Sequence, residues 1–329
     1  PTNNNTTSQQ VKEWALKRAM DVTFWRPSIR FFACGPHRNY ATSLYYLDVH
    51  EHPHVQGHVA LTLDDAPGRQ GRSKSYLPTV LDILQHANAK ATFMMVGDFM
   101  KPLKNSTNGD DDGKRNRDDD EDHTPDLIRL VQEGHEMGNH GMRDRPYHQD
   151  SAQDFARAVR DCNSEIERIY RLAAVEDNND NNKQQSSDND EVVPIDNNNN
   201  TTNNINNDPS EKNRVRYFRA PHGKYTRTME SVLQERGMIN VMCDTYASCP
   251  LVTDGDYIGT TLANRAQDGS IILLHMPEQG FRDWTLVALQ RLLEGLQERG
   301  LQAVTVSRLQ QLAEQEQQAD HTPEVATSS

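Results

Sequence analysis

The sequence predicts one α/β domain built on a largely parallel sheet, open or closed into a barrel. Two observations predict it. Short apolar runs of strand length alternate along the chain with longer segments of helical period. Polar residues of catalytic type fall where the apolar runs end, which is where parallel α/β folds gather their chemistry. Two hydrophilic stretches interrupt this pattern without extending it.

The first strand is Val59–Leu63, where Val59, Leu61 and Leu63 alternate with smaller residues before Pro67 and Gly68 stop the run. A helix over 76–88 follows, ending near Asn88. Thr92-Phe-Met-Met-Val96 is the second strand. Thr124 and Pro125 suit the Ncap and N1 positions of a helix over 124–133. A brief strand comes after Gly134. A long helix over 151–173 opens on Ser151, a good N-cap, with Phe155, Val159, Ile166, Ile169 and Tyr170 on its apolar face. A strand at 215–218, a helix at 226–236, a strand at 239–242 and a helix at 256–267 continue the alternation. The strand Ile271–Leu274 leads to a helix over 284–298 with a leucine face. A strand at 301–305 and a helix from Ser307 close the pattern.

The chain has 329 residues, 35% of them hydrophobic, and a net charge of −13. Residues 104–123 hold eight acids against four bases, and residues 176–213 hold nine against two, so −11 of the charge belongs to these stretches. The second also holds 14 asparagines. Neither carries enough apolar surface to fold, so both are expected to be disordered inserts, as are the ends 1–10 and 313–329. Residues 11–57 are expected to pack on the domain as an N-terminal extension, and 58–312 to form the catalytic unit. Polyanionic loops argue against a nucleic-acid partner, and no apolar run reaches the ~18 residues of a membrane span.

Four cysteines, Cys34, Cys162, Cys243 and Cys249, show no CxxC spacing. They leave one or two disulfides and buried thiols equally open. Sequons at Asn5, Asn105 and Asn200 lean towards a secretory or extracellular setting. The chain begins with Pro1, which is compatible with an upstream signal or anchor. Oligomeric state is not legible.

Asp64 and Asp65 stand side by side at the end of the first strand. Two like charges there are costly unless a cation lies between them, a metal ion or an arginine. In Gly134-His-Glu-Met-Gly-Asn-His-Gly-Met-Arg-Asp144, a helical turn from Asn139 would put His140 and Asp144 on one face, within reach of one ion. Arg219 leaves a strand into Ala220-Pro221-His222-Gly223, Asp244 follows Val241-Met-Cys243, and His275 closes Ile271-Ile-Leu-Leu274. His52, His54 and His58 resemble a metal cluster but precede their strand, so they belong at the opposite end of the sheet.

These five segments, in this order, resemble the polysaccharide deacetylases with a NodB homology domain, carbohydrate esterase family 4. Thr62-Leu-Asp-Asp-Ala-Pro67 is similar to the family's T-F-D-D-G-P motif, and the other four segments to motifs two to five. The resemblance covers roughly 58–308 without the inserts, and implies a distorted (β/α) barrel. It also implies a hydrolase that removes N-acetyl groups from the amino sugars of a chitin- or peptidoglycan-like glycan. Asp64 would be the general base and Asp65, His140 and Asp144 the ligands of a divalent ion, Zn²⁺ first, with Co²⁺ or Mn²⁺ as alternatives. Arg219 would hold Asp64 ionised and oriented. Asp244 would orient His275, the general acid. Leu273 would line the acetyl pocket, with Pro221 and the His222 N–H beside the substrate.

The chemistry explains the residue types. An amide is a poor electrophile with a poor leaving group. A metal polarises its carbonyl and acidifies water, a carboxylate accepts a proton, and an imidazole protonates the departing amine. The sequence departs from the family at Asp144, where the second motif has a second histidine. That marks a variant branch with a more anionic site and a shift towards harder ions; His148 is the fallback ligand. Ala66 replaces a glycine, and Thr245-Tyr-Ala-Ser-Cys249 replaces the second aspartate and tryptophan of motif four. Hydrolysis of another amide or ester, and an inactive glycan-binding protein, are the alternatives.

Overall fold

The computed structural model describes residues 12, 14, 15, 17, 18, 26, 43–69, 75–101, 122–185 and 214–319. The expected disordered end 1–10, residues 320–329, most of the first insert and residues 186–213 of the second lie outside them, whereas residues 313–319 of the expected disordered tail are helical.

The strands are β1 (His58–Ala66), β2 (Thr92–Met95), β3 (Glu136–Asn139), β4 (Tyr217–Phe218), β5 (Ile239–Asn240), β6 (Thr245–Tyr246), β7 (Ile271–His275) and β8 (Gln302–Val304). They form one sheet of order β5-β4-β3-β2-β1-β7-β6, with β8 on the first residues of β1. Every pairing is parallel, as expected for strands joined by helical crossovers. The helices are α1 (Leu77–His86), α2 (Gly97–Met100), α3 (Thr124–Gln132), α4 (Ala152–Gln185), α5 (Arg227–Gln234), α6 (Gly255–Arg265), α7 (Trp284–Glu298) and α8 (Val306–Ala319).

Local chemistry accounts for most element ends. The Thr226 hydroxyl accepts from the Met229 N–H to cap α5, and the Asp254 carboxylate accepts from the Tyr257 N–H to cap α6. Ser151 caps α4 by accepting from the Asp154 N–H and donating to the Asp154 carboxylate. Three expectations need correction. Helix α3 takes His123 as N-cap, which moves Thr124 inside the helix. Helix α4 runs to Gln185, into the segment read as a disordered insert, because nothing between 174 and 185 is a Pro or Gly that would stop it. Strand β6 was not expected at all: two residues are too short to show a period, and they are strand through their pairing with β7.

Strand alternation sorts the core into two layers. The outward faces of β1, β2 and β7 (Leu61, Leu63, Phe93, Met95, Ile272, Leu274) pack under the helices. The inward faces (Ala60, Met94, Tyr217, Ile271, Leu273) form a second cluster, closed at the bottom by Val306, Leu309 and Leu312 of α8. The edge strands of the sheet are β5 and β6. Residues 43–47 run from the end of β5 to the residues before β7, with the Leu44 N–H donating to Asn240 O at 2.8 Å and the Leu47 N–H to Gly269 O at 2.9 Å. The Pro53–Val55 turn and His58 stand at the amino end of β1, opposite the site described next.

Candidate active site

Thr62 and Asp64 share the inward face of β1, and β7 lies beside it with His275 in register with Asp64. Arg219 stands one residue beyond β4 and is 2% exposed. Its guanidinium makes four hydrogen bonds. Nη1 donates to Asp64 Oδ1 and Thr62 Oγ1, both at 2.7 Å, while Nε and Nη2 donate to the Val241 and Met242 carbonyls at 2.9 Å. Thr62 in turn donates to Ile272 O. One oxygen of Asp64 is thus fixed, and the other, Oδ2, lies towards His140.

Neighbouring strand residues normally point to opposite faces. Asp65 escapes that rule because its φ is 61°, and the β1–β2 register shifts between Leu63 and Ala66. Both carboxylates therefore reach the same space. There they meet His140, just past β3, whose Nδ1 lies 2.9 Å from Arg219 O. That contact requires Nδ1 to carry the proton, so Nε2 presents its lone pair. Nε2 is 3.6 Å from Asp65 Oδ1 and 3.9 Å from Asp64 Oδ2. Asp65 Oδ2 is held at 2.6 Å by Arg282 Nη1. Burial alone would raise the Asp65 pKa, but His275, His140 and Arg282 together pull it below the usual carboxylate value.

An imidazole lone pair facing buried carboxylate oxygens is a donor set for a divalent cation. Two donors on one ion with bonds of about 2.1 Å stand about 3–3.5 Å apart, close to the separation of Asp65 Oδ1 and His140 Nε2. These two residues fit a metal. Asp144 is placed differently from expectation. No helical turn follows Asn139; residues 142–145 form bends. Gly141, at φ 90°, lies against the Tyr147 ring, whose hydroxyl accepts from the Arg143 N–H and donates to Arg143 O. Asp144 is exposed at the rim of the site. Burial of its carboxyl and then the charge of Asp65 push its pKa up. Among the described residues, no three His, Cys, Asp or Glu side chains, with or without His148, stand together at ligand spacing.

His275 is half-buried beside the two carboxylates, and desolvation of its ring pushes its pKa down to about 4 against the pull of Asp64 and Asp65. Asp244 does not reach it. That carboxylate is consumed by Arg26 Nε at 2.7 Å, Ser270 Oγ at 2.9 Å and the Ile271 N–H at 2.9 Å. The expected Asp244–His275 pair is replaced by a contact of 3.1 Å between His275 Nδ1 and Cys249 Sγ. The reason is positional: Asp244 precedes β6 and pairs at the start of β7, whereas His275 ends β7. Trp284 Nε1 donates to Cys249 O and steadies the thiol's loop.

Leu273 shares its face of β7 with His275. Pro221 is buried in the turn Pro221–Gly223, and His222, at φ 59°, is exposed above it. Cys249, Arg282 and Arg26 are the site residues that motif reading did not assign. Arg282 was visible only as a residue of the groove rim or of the next helix start. Nothing in the sequence points from Arg26 to Asp244.

The family model for polysaccharide deacetylases matches residues 51–175. A chitooligosaccharide deacetylase of Sinorhizobium fredii (strain NBRC 101917 / NGR234) is 25% identical over 252 residues, covering 74% of this chain and 86% of that relative. Among solved structures, a CE4 family pseudoenzyme from Bacillus anthracis shares the fold with a TM-score of 0.52 at 18% identity, over 82% of this chain and 69% of that one. A family 4 acetyl xylan esterase from Clostridium thermocellum, solved with a cobalt ion, has a TM-score of 0.50 at 23% identity, over 77% and 90%.

Proposed function

We propose that this chain, which belongs to the NodB-type polysaccharide deacetylases of carbohydrate esterase family 4 and is a hydrolase of N-acetyl amide bonds, acts on amino sugars of a chitin- or peptidoglycan-like glycan. The observation that carries the reading is the convergence of Asp64, Asp65, His140 and Arg219 at the carboxyl end of a parallel sheet, beside His275.

Asp65 and His140 are the residues that would hold a divalent ion, Zn²⁺ first and Co²⁺ or Mn²⁺ next. Such an ion supplies polarisation of the acetyl carbonyl and a more acidic water. Asp64 accepts the water's proton on Oδ2, the oxygen Arg219 leaves free. Arg219 keeps the carboxylate pinned, so no reorganisation is needed as charge moves. Leu273 lines the place of the acetyl methyl, and the turn at Pro221–Gly223 offers the His222 N–H to the developing oxyanion. His275 delivers a proton to the amine nitrogen as the C–N bond breaks. It meets the substrate as a neutral imidazole, because its pKa lies at about 4. The proton it passes on therefore originates in the water that Asp64 deprotonates. Cys249 orients the ring through its 3.1 Å contact with Nδ1, and burial keeps its thiol protonated, so it carries no charge to stabilise an imidazolium.

The test is acetate release from chitin oligomers and peptidoglycan fragments with added Zn²⁺, Co²⁺ or Mn²⁺. Asp64→Asn should lose about 10²–10⁴ of the rate. Absence of release from every glycan, with binding retained, would instead favour a glycan-binding protein on the same scaffold.

A further inference from the structure

The loop between β7 and α7, residues 276–283, reaches back over the site and puts one side chain onto Asp65. Arg282 Nη1 donates to Asp65 Oδ2 at 2.6 Å, and the Arg282 side chain is 12% exposed. Oδ1, the other oxygen, is the one that faces His140 Nε2 at 3.6 Å. The two oxygens have separate partners, a guanidinium on one side and the imidazole lone pair on the other.

The loop is built to hold this arginine. Arg282 has φ 62°, a left-handed conformation that costs a non-glycine residue energy and persists only where the surroundings enforce it. They do so at several points. Glu278, 1% exposed, takes the Arg69 Nε and the Arg69 backbone N–H, and pairs with Phe281 through two backbone bonds of 2.8 Å. Asp283 accepts from the Tyr76 hydroxyl and the Gly280 N–H. Trp284 is tied to Cys249 O. Anchors thus stand both before and after Arg282.

We infer that Arg282 is a positioning residue for the cation site. It occupies Oδ2 so that Asp65 offers Oδ1 alone, beside His140, as a single-oxygen ligand. This rests on the reading of Asp65 and His140 as metal ligands. A guanidinium so close to a bound cation repels it, and an arginine that occupied the ligand position itself would compete with the ion. The geometry distinguishes the two roles, because the oxygen turned towards His140 is not the one Arg282 holds. Supporting partners of ligand side chains are worth roughly 10–100-fold in metal affinity.

The experiment measures Zn²⁺ affinity by competition with a chromophoric chelator, and the visible absorption of the Co²⁺ form, for the intact chain and its Arg282→Met and Arg282→Lys variants. Arg282→Met should bind Zn²⁺ about 10–100-fold more weakly and change the Co²⁺ spectrum, with Arg282→Lys recovering most of the affinity through its ammonium. Zn²⁺ affinity that is unchanged or tighter in Arg282→Met would overturn the inference, tighter binding meaning that the arginine competes with the ion. If Arg282→Met fails to fold by circular dichroism, Arg282→Gln, which keeps a donor without the charge, is judged by the same criterion. A parent chain that binds none of Zn²⁺, Co²⁺ and Mn²⁺ would overturn the metal-site reading and this inference together.

Discussion

Replacing Arg219 by methionine is the sharpest stability test of the site. The guanidinium is 2% exposed and makes four bonds, one of them to the Asp64 carboxylate, itself 4% exposed. Methionine matches much of the volume, so the loss is polar rather than steric. All four bonds have a charged donor; that to Asp64 is an ion pair as well, and each falls in the range of about 1.5–3 kcal/mol. The stranded carboxylate dominates, and truncating one partner of a buried pair costs about 3–5 kcal/mol. That is a large share of the about 5–15 kcal/mol by which such a domain is stable. Urea unfolding followed by circular dichroism should show a lower midpoint at an unchanged slope. The double variant Asp64→Asn/Arg219→Met should lose about 1–3 kcal/mol less than the two single losses added. A single-variant loss under about 1 kcal/mol, or strict additivity, would refute the idea that this pair is the buried electrostatic centre of the site.

Two further outcomes follow from groups around it. His135 is buried, its Nδ1 accepts from the Ala91 N–H, and burial pushes its pKa down to about 3 with help from Lys90 and Arg129; the Glu133 carboxylate, 3.6 Å from Nε2, does not outweigh them. The folded value lies below the unfolded one of about 6.5. The unfolded chain therefore binds the extra proton, and stability present above pH 6.5 is lost as pH falls towards 3. Between pH 6.5 and 5 this amounts to about 2 kcal/mol from His135 alone. His135→Gln should flatten the pH dependence by about one proton, and parallel curves for the two proteins would show that His135 is not the group. Gly141→Ala should lower the melting temperature and weaken metal binding through His140, since a Cβ at φ 90° would sit 2.5 Å from the Tyr147 ring; an unchanged melting curve would count against that packing.

The sequence by itself determined the α/β class, the parallel sheet and the five segments that carry chemistry. Those depend on local period, turn residues and the rule that parallel strands deliver their polar ends to one edge. The pairing of Arg219 with Asp64 came from the family resemblance, since the residues alone left a metal ion and an arginine equally open, and the 2.7 Å bond between them is a fact of the tertiary structure. Tertiary structure alone decided the partners of the remaining groups. The left-handed turn at Asp65, which brings two successive carboxylates to one side, comes from a register shift between strands and leaves no mark in residue spacing. Asp244 has the right position in the motif order, but Arg26 claims it from the far end of the chain. Cys249 then meets His275 in its place. Asp144 stands on the rim because Gly141 and Tyr147 build bends where a helical turn was expected. The sequence names the charges that need compensation, but which partner compensates each one depends on chain segments that meet only when the sheet curls.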